Sequence, residues 1–185
     1  MFQSGEKCDR IKVLLLKMKI YIASDHTGFE IKEKVKKYLG DRQYPVQDCG
    51  AFRVDPDDDY PQYIHTAAKY VGANPDIDRG IIFGGSGQGE AIVANKTKGV
   101  RCGLIYAPVS GERAINIEGV KSDNPLVIVD LIREHNDANM ISFGVRFLAE
   151  EEILRAIDVW LQAKGPVHER HIRRVNQIKE IENEK

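Results

Sequence analysis

Between Gly80 and Glu90 the chain reads Gly-Ile-Ile-Phe-Gly-Gly-Ser-Gly-Gln-Gly-Glu. An apolar run ends in a cluster of glycines that encloses one serine and closes on a carboxylate. Glycine lets the backbone approach a ligand and take positive φ. The segment Ala91–Lys96 then reads as the first turns of a helix, whose free N–H groups favour an anion. Glu90 has two readings there. It is a first-turn carboxylate complementing the helix dipole, or a general base beside an oxyanion site, its pKa raised by shelter from water. Three other motifs fit less well. No Gly-Lys-Ser/Thr follows, so the loop is not a P-loop. Its GxGxG spacing after the third strand is not a dinucleotide fingerprint. Gln88 stands where a nucleophile elbow needs glycine, which argues against Ser86 as a hydrolase nucleophile.

Other polar groups sit at similar boundaries. Asp25-His26 ends the first strand and reads either as a helix cap with an incidental histidine or as ligand contacts. His135-Asn136-Asp137 ends a helix, where a C-cap is the plain alternative to a functional role. Arg146 follows the last strand as an anion-binding candidate. Arg170 and Arg174 lie four apart on one helical face, either a solvated face or a phosphate clamp.

The elements that carry these residues alternate. Strands are expected over 19–24, 44–48, 80–84, 100–106 and 139–143, and helices over 28–39, 61–73, 88–97, 126–136, 148–163 and 167–182. Such alternation implies βαβ units, hence a Rossmann-like α/β three-layer sandwich with a five-stranded parallel sheet. Ligands in such sheets bind at the carboxyl ends of strands, where Asp25-His26, the glycine loop and Arg146 converge. The acidic, proline-bounded stretch 53–61 reads as a turn entering a helix capped near Asp59. Residues 110–124, with Gly111, Gly119 and Asn124-Pro125, read as an exposed excursion.

The 185 residues suit one domain, and a formal net charge of −1 argues against a general nucleic-acid binder. Cys8, Cys49 and Cys102 are too few and too scattered for a disulfide framework or zinc site, which suggests a reduced, cytoplasmic protein. Residues 1–17 are too short and charged to span a membrane and are expected to be a dispensable extension, with Met18 as an alternative start.

From Met18 to about Glu182 the chain resembles the ribose-5-phosphate isomerase B family, in a wider sugar-phosphate isomerase group that includes galactose-6-phosphate isomerase. The landmarks are Ser24-Asp-His-Thr-Gly-Phe-Glu30, Asp48-Cys-Gly50, Asp59-Tyr-Pro61, Gly84-Gly-Ser-Gly-Gln-Gly-Glu90, Ala94-Asn-Lys96, Arg133-Glu-His-Asn-Asp137, Phe143-Gly-Val-Arg146 and Arg170-His-Ile-Arg-Arg174. The resemblance implies metal-independent, cofactor-free isomerisation through a cis-enediolate. One branch of the family uses a cysteine just before the glycine loop as base. Gly84 occupies that position here, which implies the branch with a glutamate base, Glu90. Backbone N–H groups over Gly85, Gly87 and Gly89, with Ser86, would hold the enediolate oxygen. His135 would open the sugar ring, with Asp25 and Asn136 on substrate hydroxyls and Tyr60 lining the pocket. His26, Arg146, Arg170 and Arg174 would bind phosphate, the last two from a partner subunit. That implies a homodimer with shared sites, or a tetramer. The chain departs from the family pattern in the insertion near 110–124.

The expected function is interconversion of ribose 5-phosphate and ribulose 5-phosphate, a step of the pentose phosphate pathway. The alternatives are a hexose-6-phosphate isomerase acting on allose or galactose phosphates, and a non-catalytic sugar-phosphate sensor. Glu90 together with His135 argues against the sensor, which needs neither a base nor a ring opener.

Overall fold

The computed structural model describes residues 18–107 and 114–184. Its five strands are β1 (Ile20–Ser24), β2 (Val46–Asp48), β3 (Arg79–Gly84), β4 (Cys102–Ile105) and β5 (Met140–Gly144). Its six helices are α1 (Phe29–Asp41), α2 (Tyr60–Ala73), α3 (Gln88–Asn95), α4 (Val127–Asn136), α5 (Glu150–Gln162) and α6 (Glu169–Asn183). The sheet is wholly parallel in the order β2-β1-β3-β5-β4. The fold is therefore the α/β sandwich expected from the alternation of patterns. No helix among the described residues is long and apolar enough to cross a membrane.

Strand side chains alternate between two buried faces, as a sheet covered on both sides requires. Ile20, Ile22, Ile81, Phe83, Ile141 and Phe143 pack with Val35 and Leu39 of α1, Val129 and Ile132 of α4, and Ile157 and Trp160 of α5. Tyr21, Ala23, Ile82 and Met140 face the other way, onto Ile64, Ala67, Ala68 and Val71 of α2 and Ala94 of α3. Since α1 and α2 cover opposite faces, the chain leaves β1 in one direction and returns to β3 in the other. That reversal opens a crevice at the carboxyl ends of β1 and β3, where Ser24 and Phe83 are register partners.

Local chemistry closes the elements. Pro61 sits in the first turn of α2, with Asp59 at the N-cap position but no side-chain cap bond. The Glu152 carboxylate accepts the Ala149 N–H at 2.8 Å, capping α5. Asn95 ties α3 to the edge strand β4, its amide donating to the Cys102 carbonyl at 3.0 Å and accepting the Cys102 N–H at 2.9 Å.

The expected extension over 1–17 and the start of the expected insertion, 110–113, lie outside the described residues. The rest of the insertion is not wholly exposed. Ile115 and Lys121 form an antiparallel bridge, Ser122 N–H donates to the Ala114 carbonyl at 2.7 Å, and Ala114 is buried.

Candidate active site

The β1 and β3 exits lie side by side. Asp25 is buried, and its carboxylate accepts the Gly28 N–H at 2.9 Å, turning the chain into α1. Beyond β3 the glycine loop is held from two sides. Val145 and Arg146, leaving β5, donate their N–H groups to the Gly84 and Gly85 carbonyls at 3.0 and 3.2 Å. Beneath the loop the Ser142 hydroxyl donates to the Gly87 carbonyl at 2.7 Å. Gly87 itself has φ of 72°, and a Cβ there would lie 2.9 Å from the Gly144 nitrogen, so only glycine suits this bend. The Ser86 hydroxyl accepts the Gln88 N–H at 3.3 Å, at the start of α3.

Glu90, in the first turn of α3, is 4% exposed. Burial pushes its carboxyl above the ordinary carboxylate range. Its own backbone N–H pulls the other way, and the nearby Asp25 charge adds to the rise. Its oxygens lie where a side chain at residue 84 would project: a Cβ built on Gly84 collides with the Glu90 carboxylate. Two neighbours complete this cluster. The Tyr60 hydroxyl stands over Gly89, 2.6 Å from where its Cβ would be, and the Arg146 guanidinium stands over Gly85, 3.2 Å from the corresponding point. His26 joins them, its Nδ1 2.7 Å from the Asp58 carboxylate.

The remaining sequence candidates gather elsewhere. Helix α4 runs antiparallel to the strands, so its end lies at the amino edge of the sheet. There Arg101, just before β4, donates to the Asn136 carbonyl at 3.0 Å, and the Gly80 N–H of β3 donates to the Asn139 carbonyl at 2.9 Å. The left-handed C-cap is Asp137, with φ of 47°, and its carboxylate is gripped by Arg101 and Arg133. The His135 ring stacks on His171 of α6, centroids 4.3 Å apart, next to Arg170 and Arg174. Burial lowers the His135 pKa, and Arg170, Arg174 and His168 lower it further, so the imidazole is neutral near pH 7. Its Nε2 is buried and has no hydrogen-bond partner among the described residues.

One chain thus presents two groups of predicted residues at opposite edges of its sheet. Asp25, His26, Tyr60, Gly85, Ser86, Gly87, Gly89, Glu90 and Arg146 lie at the carboxyl edge. His135, Asn136, Arg170 and Arg174 lie with the end of α4. A five-residue strand, roughly 16 Å, separates the edges. Sequence reasoning also passed over Asp58 and the stacking of His171. The first was one acid in a run of four between Asp55 and Asp59, with nothing in the sequence to single it out. The second was visible only as basic residues opening a helix.

A doubly wound α/β protein with a buried carboxylate against a glycine loop, and cations at its rim, is equipped for proton transfer on an anionic ligand. The profile of the ribose/galactose isomerase family matches residues 20–121 and 125–178. Ribose-5-phosphate isomerase B of Mycolicibacterium paratuberculosis is 36% identical over 165 residues, covering 89% of this chain and 92% of the relative. Among solved structures, ribose-5-phosphate isomerase B from Mycoplasma genitalium with bound ribulose 5-phosphate superposes with a TM-score of 0.78 at 32% identity, covering 91% of this chain and 98% of that one. The enzyme from Clostridium thermocellum gives 0.73 at 34% identity, covering 90% and 99%. The chain belongs to the ribose/galactose isomerase family.

Proposed function

We propose that the protein interconverts ribose 5-phosphate and ribulose 5-phosphate, with Glu90 as the base. The observation that carries this is the Glu90 carboxylate, buried, raised in pKa, and lodged against Gly84 at the start of the glycine loop. In the open-chain aldose, Glu90 removes the C2 proton. The electron pair left on C2 becomes the C1–C2 double bond, and the former carbonyl oxygen takes the negative charge. N–H groups over Gly85, Gly87 and Gly89, with the Ser86 hydroxyl, stabilise that charge. Glu90 then returns its proton to C1 while the O2 hydroxyl proton passes to O1, leaving the ketose.

His26 and Arg146 bind the phosphoryl group, Asp25 and Tyr60 contact the sugar, and no metal or cofactor takes part. His135 and Asn136, with Arg170 and Arg174, complete the site from a second copy of the chain. Within one copy they face the wrong edge of the sheet, so each catalytic centre needs both edges, one from each subunit. A neutral imidazole with an unpartnered buried Nε2 suits His135 to the proton transfers of ring opening.

The test is isomerisation of ribose 5-phosphate by purified protein, beside allose 6-phosphate and galactose 6-phosphate, with Glu90→Gln as control. Turnover of the pentose, lost in the variant, is expected. Turnover confined to a hexose phosphate would move the substrate while keeping the chemistry. Binding without turnover of any sugar would replace the enzyme with a sensor.

A further inference from the structure

The acidic loop before α2 contributes one residue to the carboxyl edge that the isomerase reading leaves without a role. The Asp58 side chain is only 3% exposed, unlike its neighbours Asp57 and Asp59. One of its oxygens meets both the His26 backbone N–H at 3.3 Å and the His26 Nδ1 at 2.7 Å. The other is buried and has no hydrogen-bond partner among the described residues. No Lys or Arg among the described residues pairs with this carboxylate, so His26 is its charged partner. A buried carboxylate is costly unless its charge is met, which favours the imidazolium.

An acceptor at Nδ1 places a proton there in both charge states of the ring. Nε2 makes no hydrogen bond among the described residues, and the ring is 33% exposed. Three charged groups face this histidine: Asp25 at the end of β1, Asp58 in the loop before α2, and Arg146 after β5. The bond to Asp58 raises the imidazole pKa, and burial opposes it. The Asp25 and Asp58 charges add to the rise, and Arg146 subtracts from it.

We propose that Asp58 is a positioning residue for phosphate binding: it takes the Nδ1–H of His26 and so fixes the ring with Nε2–H as the donor offered to the substrate's phosphoryl group. This rests on His26 as a phosphate ligand. Asp58 touches no substrate and acts through the ring alone. The same bond raises the His26 pKa and so favours the charged ring beside a phosphoryl group.

The first test uses the wild-type protein. Nitrogen-15 NMR of its five histidines is expected to show His26 with a proton on Nδ1 in the neutral ring and a titration above the ordinary ~6.5. The opposite tautomer would overturn the proposal without any variant. Asp58→Asn is then expected to lower the His26 titration. It should raise KM for ribose 5-phosphate about tenfold, as when one charge-assisted hydrogen bond is weakened, with kcat nearly unchanged. An unshifted titration, or an unchanged KM where His26→Gln raises it, would overturn the role of Asp58 while leaving the phosphate site in place. An unchanged KM in His26→Gln would overturn the phosphate site and this inference with it.

Discussion

Burial drives the Glu90 carboxyl above its ordinary range, with opposite consequences for turnover and for stability. As the proposed base, Glu90 must be ionised to work. So kcat/KM is expected to fall as pH drops through the raised pKa, and that limb should lie above the ~4.3 of a free glutamate. Glu90→Gln should lower kcat by about 10²–10⁴-fold, the usual weight of a general base. Stability runs the other way. A carboxyl raised on folding binds its proton more tightly in the native state, so the native state is penalised as pH climbs from the unfolded pKa through the folded one. Glu90→Gln is therefore expected to raise the melting temperature at pH 7–8 and to leave it unchanged near pH 4. Melting curves at the two pH values check this, and a variant that melts lower at both would refute it.

At the scale of elements, α1 is fastened by a buried lysine. Lys32 is fully buried and reaches Asp48, at the end of β2, at 2.7 and 2.8 Å, while Asp48 also accepts from Lys36 and from the Gly50 N–H. Burial pushes the Asp48 carboxyl up, but the bonds from Lys32 and Lys36 outweigh it, leaving the pKa below its ordinary value. This stabilisation holds above the unfolded pKa and is lost as pH falls through the lowered one. Lys32→Ala leaves Asp48 half-paired and opens a cavity, so it should cost about 3 kcal/mol in a denaturant melt. Loss of under ~0.5 kcal/mol, the scale of a surface change, would show that the pair is not holding the helix.

This scale also shows what could be read in advance. The strand expected at 19–24 is Ile20–Ser24 and the helix expected at 61–73 is Tyr60–Ala73, because a short apolar run buried on both faces and a 3.6-residue apolar period each report burial directly. The glycine loop was equally plain, since its residue types have few uses elsewhere. Lys32 was not, because a buried lysine and a solvated one look alike until the partner carboxylate folds over from β2. Nor was the separation of His135 from Glu90. Both follow apolar segments, but one segment runs up the sheet and the other runs down.

For the whole molecule, that separation makes a quantitative statement about assembly. If each centre takes Glu90 from one copy and Arg174 from another, two inactive variants should rescue each other. Mixing Glu90→Gln with Arg174→Ala after partial unfolding and refolding should restore about a quarter of wild-type activity. Half of the random pairs are then mixed, and one of their two centres carries neither change. Mixtures that stay at the parental level would place both residues in one copy's site. The insertion bears on the same assembly, since Arg170 donates to the Ile117 carbonyl at 3.4 Å and so ties 114–124 to the arginine-bearing helix.

The space between Gly84 and Glu90 has a historical meaning as well. As the chain is folded it holds the Glu90 carboxylate reaching back from α3, and a side chain projecting from the end of β3 would have to displace it. Exchanging one arrangement for the other therefore calls for linked changes at positions 84 and 90. Chains with a side chain at position 84 should therefore carry a shorter residue at position 90, and the two should change together across descent.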